Sequence, residues 1–149
     1  MTTNLGPWRN EHFDDLGWHD VHVHGFRFSK FIEDEGAADL VLDIDYILKR
    51  EQVANVPVFT VCPAELTFHS VFGLRVELDY KTPTAGMCPF SIDGITREPV
   101  GAGSFIWRIP INWPQGSLEF EAPAFTLALT GTPVSRAGQF LHPSERGAA

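Results

Sequence analysis

The chain has few cysteines, few basic residues and no long apolar run, and each shortage excludes a class of protein. Two cysteines among 149 residues, Cys62 and Cys88, do not make a disulfide framework. We expect Cys62 to be a small core residue and both thiols to be reduced. No apolar stretch approaches the roughly 20 residues that span a bilayer, and the first residues lack a basic start and an apolar stretch. The sequence therefore predicts a cytoplasmic protein without a membrane partner.

Acidic residues outnumber basic ones: the chain has 11 Lys and Arg and 19 Asp and Glu, and its formal net charge is −8. Residues 1–51 alone carry a net charge of −6. No basic stripe is present to neutralise phosphates, which excludes the usual nucleic-acid binders and disfavours an anionic membrane surface. A basic partner or a cation is favoured electrostatically.

The hydrophobic pattern alternates with period two, which is typical of strands. In residues 39–48, every second side chain from Leu40 to Leu48 is apolar. Turn residues separate further alternating stretches, and no helical pattern intervenes. We therefore predict a single all-β domain over 1–149, an antiparallel sandwich or open barrel of about eight or nine strands. The predicted strands are 20–30, 38–49, 58–62, 65–80, 90–98, 104–111, 118–122 and 125–130, with a bulge or break at Gly73.

Three other segments carry local signals. Residues 7–16 are the single helix candidate, with Pro7 early and Gly17 after the end. The polar run 33–36 is a turn that would join strands 20–30 and 38–49 into a hairpin. Residues 135–149 lack periodicity and are predicted to be a mobile tail.

A histidine-rich run, residues 19–24, is the most chemically suggestive feature. The stretch from Asp20 to Gly25 resembles the Asp-x-His-x-His signature of amidohydrolases. That family builds its metal site in a barrel that needs about 200 residues or more, so this chain is too short. A cupin has a suitable size, but its first motif requires Glu where this chain has Phe28 and Ser29.

The chain could form a metal site that belongs to neither family, because two His occupy alternate positions of one predicted strand and two Asp occupy alternate positions of the next. If His24 lies opposite Asp43, His22 lies opposite Asp45, and His22, His24, Asp43 and Asp45 could share a divalent metal. A shift of one residue places Asp43 opposite Gly25 and matches Phe26 and Phe28 with Leu42 and Leu40. Both registers remain open, and the apolar match favours the one without a site.

Other catalytic signatures are missing from the sequence. It contains no Gly-x-Ser-x-Gly, no phosphate-binding loop and no dinucleotide fingerprint. Four tryptophans are notable in so small a chain; an exposed one would anchor an interface, and Trp8, Trp18 and Trp113 are the candidates for a binding surface.

Three segments, 18–20, 42–47 and 63–68, resemble a family of uncharacterised bacterial proteins of similar length. The resemblance brings no activity, ligand or catalytic residue with it. From the residues we expect a non-enzymatic, acidic module without a cofactor that binds a protein or peptide, or a second copy as a homodimer. The alternatives are a metal-binding protein or metal-dependent enzyme that uses the His/Asp cluster, and a small-molecule carrier.

Overall fold

The protein is all-β, as predicted from the alternating pattern. The computed structural model describes residues 5–81 and 86–146. Within them, nine antiparallel strands are joined by short connections and by isolated 3-10 turns. The strands are β1 (His22–Ile32), β2 (Ala37–Val53), β3 (Val56–Leu78), β4 (Phe90–Ile92), β5 (Thr96–Gly101), β6 (Ser104–Trp113), β7 (Gly116–Ala122), β8 (Ala124–Leu129) and β9 (Val134–Arg136), and the 3-10 turns are η1 (Asn10–Asp15), η2 (Glu33–Glu35) and η3 (Pro143–Glu145).

The strand pairings run in a ring without forming a regular barrel. The order is β2-β1-β4-β6-β7-β3, and β3 pairs with β2 to complete the ring. Strand β5 is added to β6, and strands β8 and β9 are added to β3. Strand β4 has three residues and pairs with β1 only at His22 and Val23, so within residues 5–81 and 86–146 no strand pairs with the rest of that edge of β1.

One continuous strand, β3, replaces two predicted ones. Residues 58–62 and 65–80 were predicted as separate strands, but Pro63, which lies between them, sits within the ladder opposite Asp45. The two-residue connection Ala54–Asn55 joins β2 to β3, and both of its residues have positive φ, as a tight hairpin requires. The predicted irregularity at Gly73 is confirmed by its φ of 65° and by a register shift between Phe72 and Arg75.

The remaining boundaries differ at places where the chain bends. Segment 90–98 is not one strand, because it divides into β4 and β5 around the bend at Asp93. The helix expected over 7–16 is the six-residue 3-10 turn η1. The described part of the predicted mobile tail, 135–146, packs on the sheet through Leu141, which is fully buried; residues 147–149 lie outside the described part.

The inner face of the ring holds an aromatic core. Trp107 is fully buried at its centre, where it contacts Phe68 and Phe125 edge-on and donates a hydrogen bond to the carbonyl of Ala122. Such edge-to-face packing adds to the free energy gained by burial. A smaller cluster, Ile47, Val61 and Leu141, covers part of the outer face of β2. Within residues 5–81 and 86–146, no helix is long and apolar enough to cross a bilayer.

Candidate functional site

A bulge at His24 lets β1 use both of the predicted registers. His22 pairs with Asp45, as the metal-site register requires, whereas Gly25 pairs with Asp43, as the apolar register requires. The extra residue between them is His24. A bulge adds one residue to one strand and redirects its side chain. The apolar pairs Phe26–Leu42 and Phe28–Leu40 are thus kept without separating His24 from the carboxylates of β2.

Asp45 is the centre of the polar cluster at this bulge. Its side chain is fully buried, and it accepts a hydrogen bond from His24 Nε2 at 2.6 Å. The backbone N–H of Leu141 donates to the same carboxylate oxygen at 2.8 Å. A buried carboxylate is tolerated only when its oxygens are satisfied in this way. The contact with Leu141 fastens residues 139–146, the C-terminal segment, over β2.

A guanidinium provides the counter-charge. Arg146 donates to Asp45 through Nη1 and to Asp43 through Nη2, and its side chain is itself largely buried. An arginine that bridges two carboxylates is a geometrically specific contact. The structure therefore gives Asp43 and Asp45 a shared cation that belongs to the chain itself, and His24 joins this cluster through Asp45.

The fourth predicted ligand, His22, points elsewhere. Its Nδ1 bonds the carbonyl oxygen of Asp20 at 2.9 Å, and its ring lies 4.8 Å from the ring of Phe140. Across residues 5–81 and 86–146, no three His, Cys, Asp or Glu side chains are arranged to hold a metal ion. A metal bound here would have to displace Arg146 and turn His22.

Burial of His22 lowers its pKa below the usual 6.5, because desolvation outweighs the hydrogen bond to Asp20 and the nearby negative charges. The unfolded chain then binds a proton more readily than the folded one. The free energy of unfolding should therefore decrease as the pH falls below 6.5. We expect His22→Gln to remove up to about 1.4 kcal/mol per pH unit of that slope, measured by urea denaturation at several pH values.

His142→Gln is the matched control for this pH dependence, since His142 is exposed and lies on the same face. The slope should fall more in His22→Gln than in this control. Identical slopes in the unaltered chain and in His22→Gln would contradict the prediction.

A second polar relay, which the sequence did not single out, crosses three strands. His69 lies between Asp39 and Thr126, with 3.4 Å from Nδ1 to the Asp39 carboxylate and 2.8 Å from Nε2 to the Thr126 hydroxyl. Asp39 also accepts the backbone N–H of Ser70 at 3.0 Å. Hydroxyl, imidazole and carboxylate in this order are the parts of a nucleophilic triad. Thr126, however, lies in the middle of a paired strand, and none of the cavities described below is lined by it.

His24 reaches a cavity of about 430 Å³ at the open edge of β1. Cys88, Tyr80 and His142 line the same cavity, and the Tyr80 hydroxyl donates to the carbonyl of Cys88. A histidine held by a buried carboxylate is the orienting half of a catalytic pair. The nucleophilic half of such a pair is not formed within residues 5–81 and 86–146, where no hydrogen bond joins Cys88 to His24. The cluster as it stands holds the C-terminal segment in place.

The predicted tryptophan surface is divided by the structure. Trp8 and Trp18 are buried in the core against Tyr46, and they are only 7% and 6% exposed. Trp113 is 44% exposed at the end of β6. The three residues therefore do not form one surface.

A different apolar surface lies where β1 and β2 meet the bend of β3. It consists of Phe28, Phe31, Ile32 and Phe72, of which Phe28 is 62% and Phe31 70% exposed. A cavity of about 480 Å³ lies among them, floored by Ala38, Val71 and Leu74. Contiguous exposed aromatic side chains of this kind mark interaction sites. The sequence did not reveal this surface because Phe28 shares the alternating face of Phe26, which packs against the core, and only the position of Phe28 near the end of β1 exposes it.

Comparisons with known proteins add no family to this all-β fold: no family model, no curated protein and no solved structure matches the chain. The resemblance to uncharacterised bacterial proteins stays a prediction.

Proposed function

We propose that this chain is a non-enzymatic protein-binding module and that its binding surface is the apolar surface of Phe28, Phe31, Ile32 and Phe72 with the adjoining edge of β1. The partner that this surface fits is a second copy of the chain. The observation that carries the proposal is an exposed aromatic patch beside the edge of β1, which pairs with no strand beyond Val23 in the described part of the chain. Backbone donors and acceptors at such an edge pair readily with another strand.

The charges along β1 support pairing with a second copy. Arg27 and Lys30 lie on the strand, and the acidic residues Glu33, Asp34 and Glu35 follow directly. A two-fold dimer pairs the same surface with itself in opposite directions. With the axis near Ser29, Phe28 of one copy lies opposite Phe31 of the other. The basic part of each strand then approaches the acidic turn of its partner.

Sedimentation equilibrium over a wide range of concentration tests the proposal. We expect a monomer–dimer equilibrium that Phe28→Ser with Phe31→Ser weakens at least about tenfold, because aromatic residues at an interface centre contribute more than about 1 kcal/mol each. Val53→Ser with Val56→Ser is the matched control. It removes the same exposed apolar character at the β2–β3 hairpin and should leave the equilibrium unchanged.

Charge exchange gives an independent check. Arg27→Glu should weaken the dimer, and Arg27→Glu combined with Glu33→Arg should restore it, since the pairing brings these positions together across the axis. A chain that is monomeric at every concentration would refute the proposal. So would a dimer that the Phe28 and Phe31 substitutions leave intact.

A further inference from the structure

A second cavity, distinct from the apolar surface, lies between η1 and the C-terminal half of β2. It has a volume of about 520 Å³, and we name it the Trp8 cavity. Its lining comprises Leu5, Trp8, His12, Asp15, Leu16, Tyr46, Leu48, Lys49, Thr60 and Pro133. The volume falls within the range of about 300–1,000 Å³ that small-molecule sites occupy. None of these residues belongs to the apolar surface of the proposed dimer.

Two aromatic rings form one wall of the Trp8 cavity. Trp8 and Tyr46 have ring centroids 6.1 Å apart, and both are held firmly by the core. Trp8 is fixed by two backbone hydrogen bonds with Leu127, each of 2.9 Å. A rigid aromatic wall loses little entropy when it contacts a flat ligand, which favours binding.

Tyr46 lines the cavity, and its hydroxyl accepts the backbone N–H of Gly17 at 3.2 Å. The hydroxyl makes no other hydrogen bond within residues 5–81 and 86–146, so its own proton has no acceptor there. Burial raises the pKa of Tyr46, so the hydroxyl remains a donor at neutral pH.

The charges of the lining favour an uncharged ligand. It contains one carboxylate, Asp15, and one ammonium group, Lys49, which is already paired with Glu51 at 3.4 Å. An anion would meet Asp15 in a chain of net charge −8, and a cation would meet Lys49. A buried donor without a partner is costly, whereas a neutral acceptor satisfies it with little desolvation.

We propose that the Trp8 cavity is a binding site for an uncharged aromatic molecule that carries a carbonyl group. The aromatic body lies against Trp8 and Tyr46, and the carbonyl oxygen accepts the hydrogen bond of the Tyr46 hydroxyl. Leu16, Leu48 and Pro133 enclose the apolar remainder. The site is independent of the apolar surface and remains available in a dimer built on it.

Fluorescence titration of the full chain with prodan tests the assignment, since prodan is an uncharged naphthyl ketone whose emission shifts to the blue in apolar surroundings. We expect saturable binding at one site with a blue shift. Tyr46→Phe keeps the ring and removes the donor, so it should weaken binding by up to about tenfold, the value of one hydrogen bond. Leu48→Trp fills the cavity and should abolish binding.

The controls separate this cavity from the other apolar surface. Phe28→Ser with Phe31→Ser should bind prodan as the unaltered chain does. Leu5→Trp narrows the lining at an exposed position, so it provides a second blocking variant should Leu48→Trp fail to fold. The proposal is overturned if both Tyr46→Phe and Leu5→Trp bind prodan with the affinity of the unaltered chain. Loss of binding in the Phe28 and Phe31 variant alone also overturns it, since the probe would then occupy the apolar surface.

Discussion

Asp45→Ala is expected to lower the free energy of unfolding by about 3–5 kcal/mol, the cost of removing one partner from a buried ion pair. The substitution leaves the largely buried Arg146 without its principal partner and removes the acceptor for His24 and for the Leu141 N–H. The stability is lost mainly because these buried groups are left without partners. The attraction within the intact ion pair itself only slightly exceeds the cost of desolvating it. Urea denaturation at neutral pH measures it.

Asp43→Ala is the matched control for Asp45→Ala. Both carboxylates lie on β2 and contact the same guanidinium, but the side chain of Asp43 is 48% exposed and that of Asp45 is fully buried. Solvent screening should reduce the cost at Asp43 to about 1 kcal/mol or less. Equal losses in the two variants would show that burial does not determine the role of Asp45.

Local alternation was sufficient to predict most strands, and it failed where a long-range contact decides the structure. β2 was predicted correctly because Leu42, Ile44 and Tyr46 occupy alternate positions and are buried on one face, with Asp43 and Asp45 between them. Pro63 lies between two segments that were predicted as separate strands, yet it is tolerated within β3, where its carbonyl oxygen accepts the N–H of Thr130. Whether a proline interrupts a strand depends on which neighbour needs its missing N–H, and that neighbour is distant in sequence.

The candidate site was half predictable for the same reason. The sequence placed His24, Asp43 and Asp45 on adjacent strands, and they do meet. The contact of Arg146 with Asp45 could not be predicted from the sequence, because Arg146 lies 101 positions beyond Asp45 in a segment without periodicity. The bulge at His24 could not be predicted either, because regular pairing allows only one of two registers that differ by one residue, whereas a bulge permits both.

Leu141→Ala is expected to lower the free energy of unfolding by about 2–5 kcal/mol. Leu141 is fully buried against Ile47 and Val61 on the outer face of β2. Its truncation leaves a cavity that the surrounding strands, fixed by their ladders, fill only in part. Leu5→Ala, at an exposed leucine, should change stability by no more than about 0.5 kcal/mol in the same urea titration.

The two large effects should not add, because one segment carries both contacts. Asp45 holds the C-terminal segment through the Leu141 N–H and Arg146, and the Leu141 side chain holds it through the small cluster. Once Asp45→Ala has loosened the segment, less of Leu141 remains buried to be lost. A double-mutant cycle of Asp45→Ala and Leu141→Ala should therefore give a coupling energy of about 0.5–3 kcal/mol, with the double variant more stable than the sum predicts. Strict additivity would mean that each contact holds its own part of the segment, and the polar cluster would then have no role in seating Leu141.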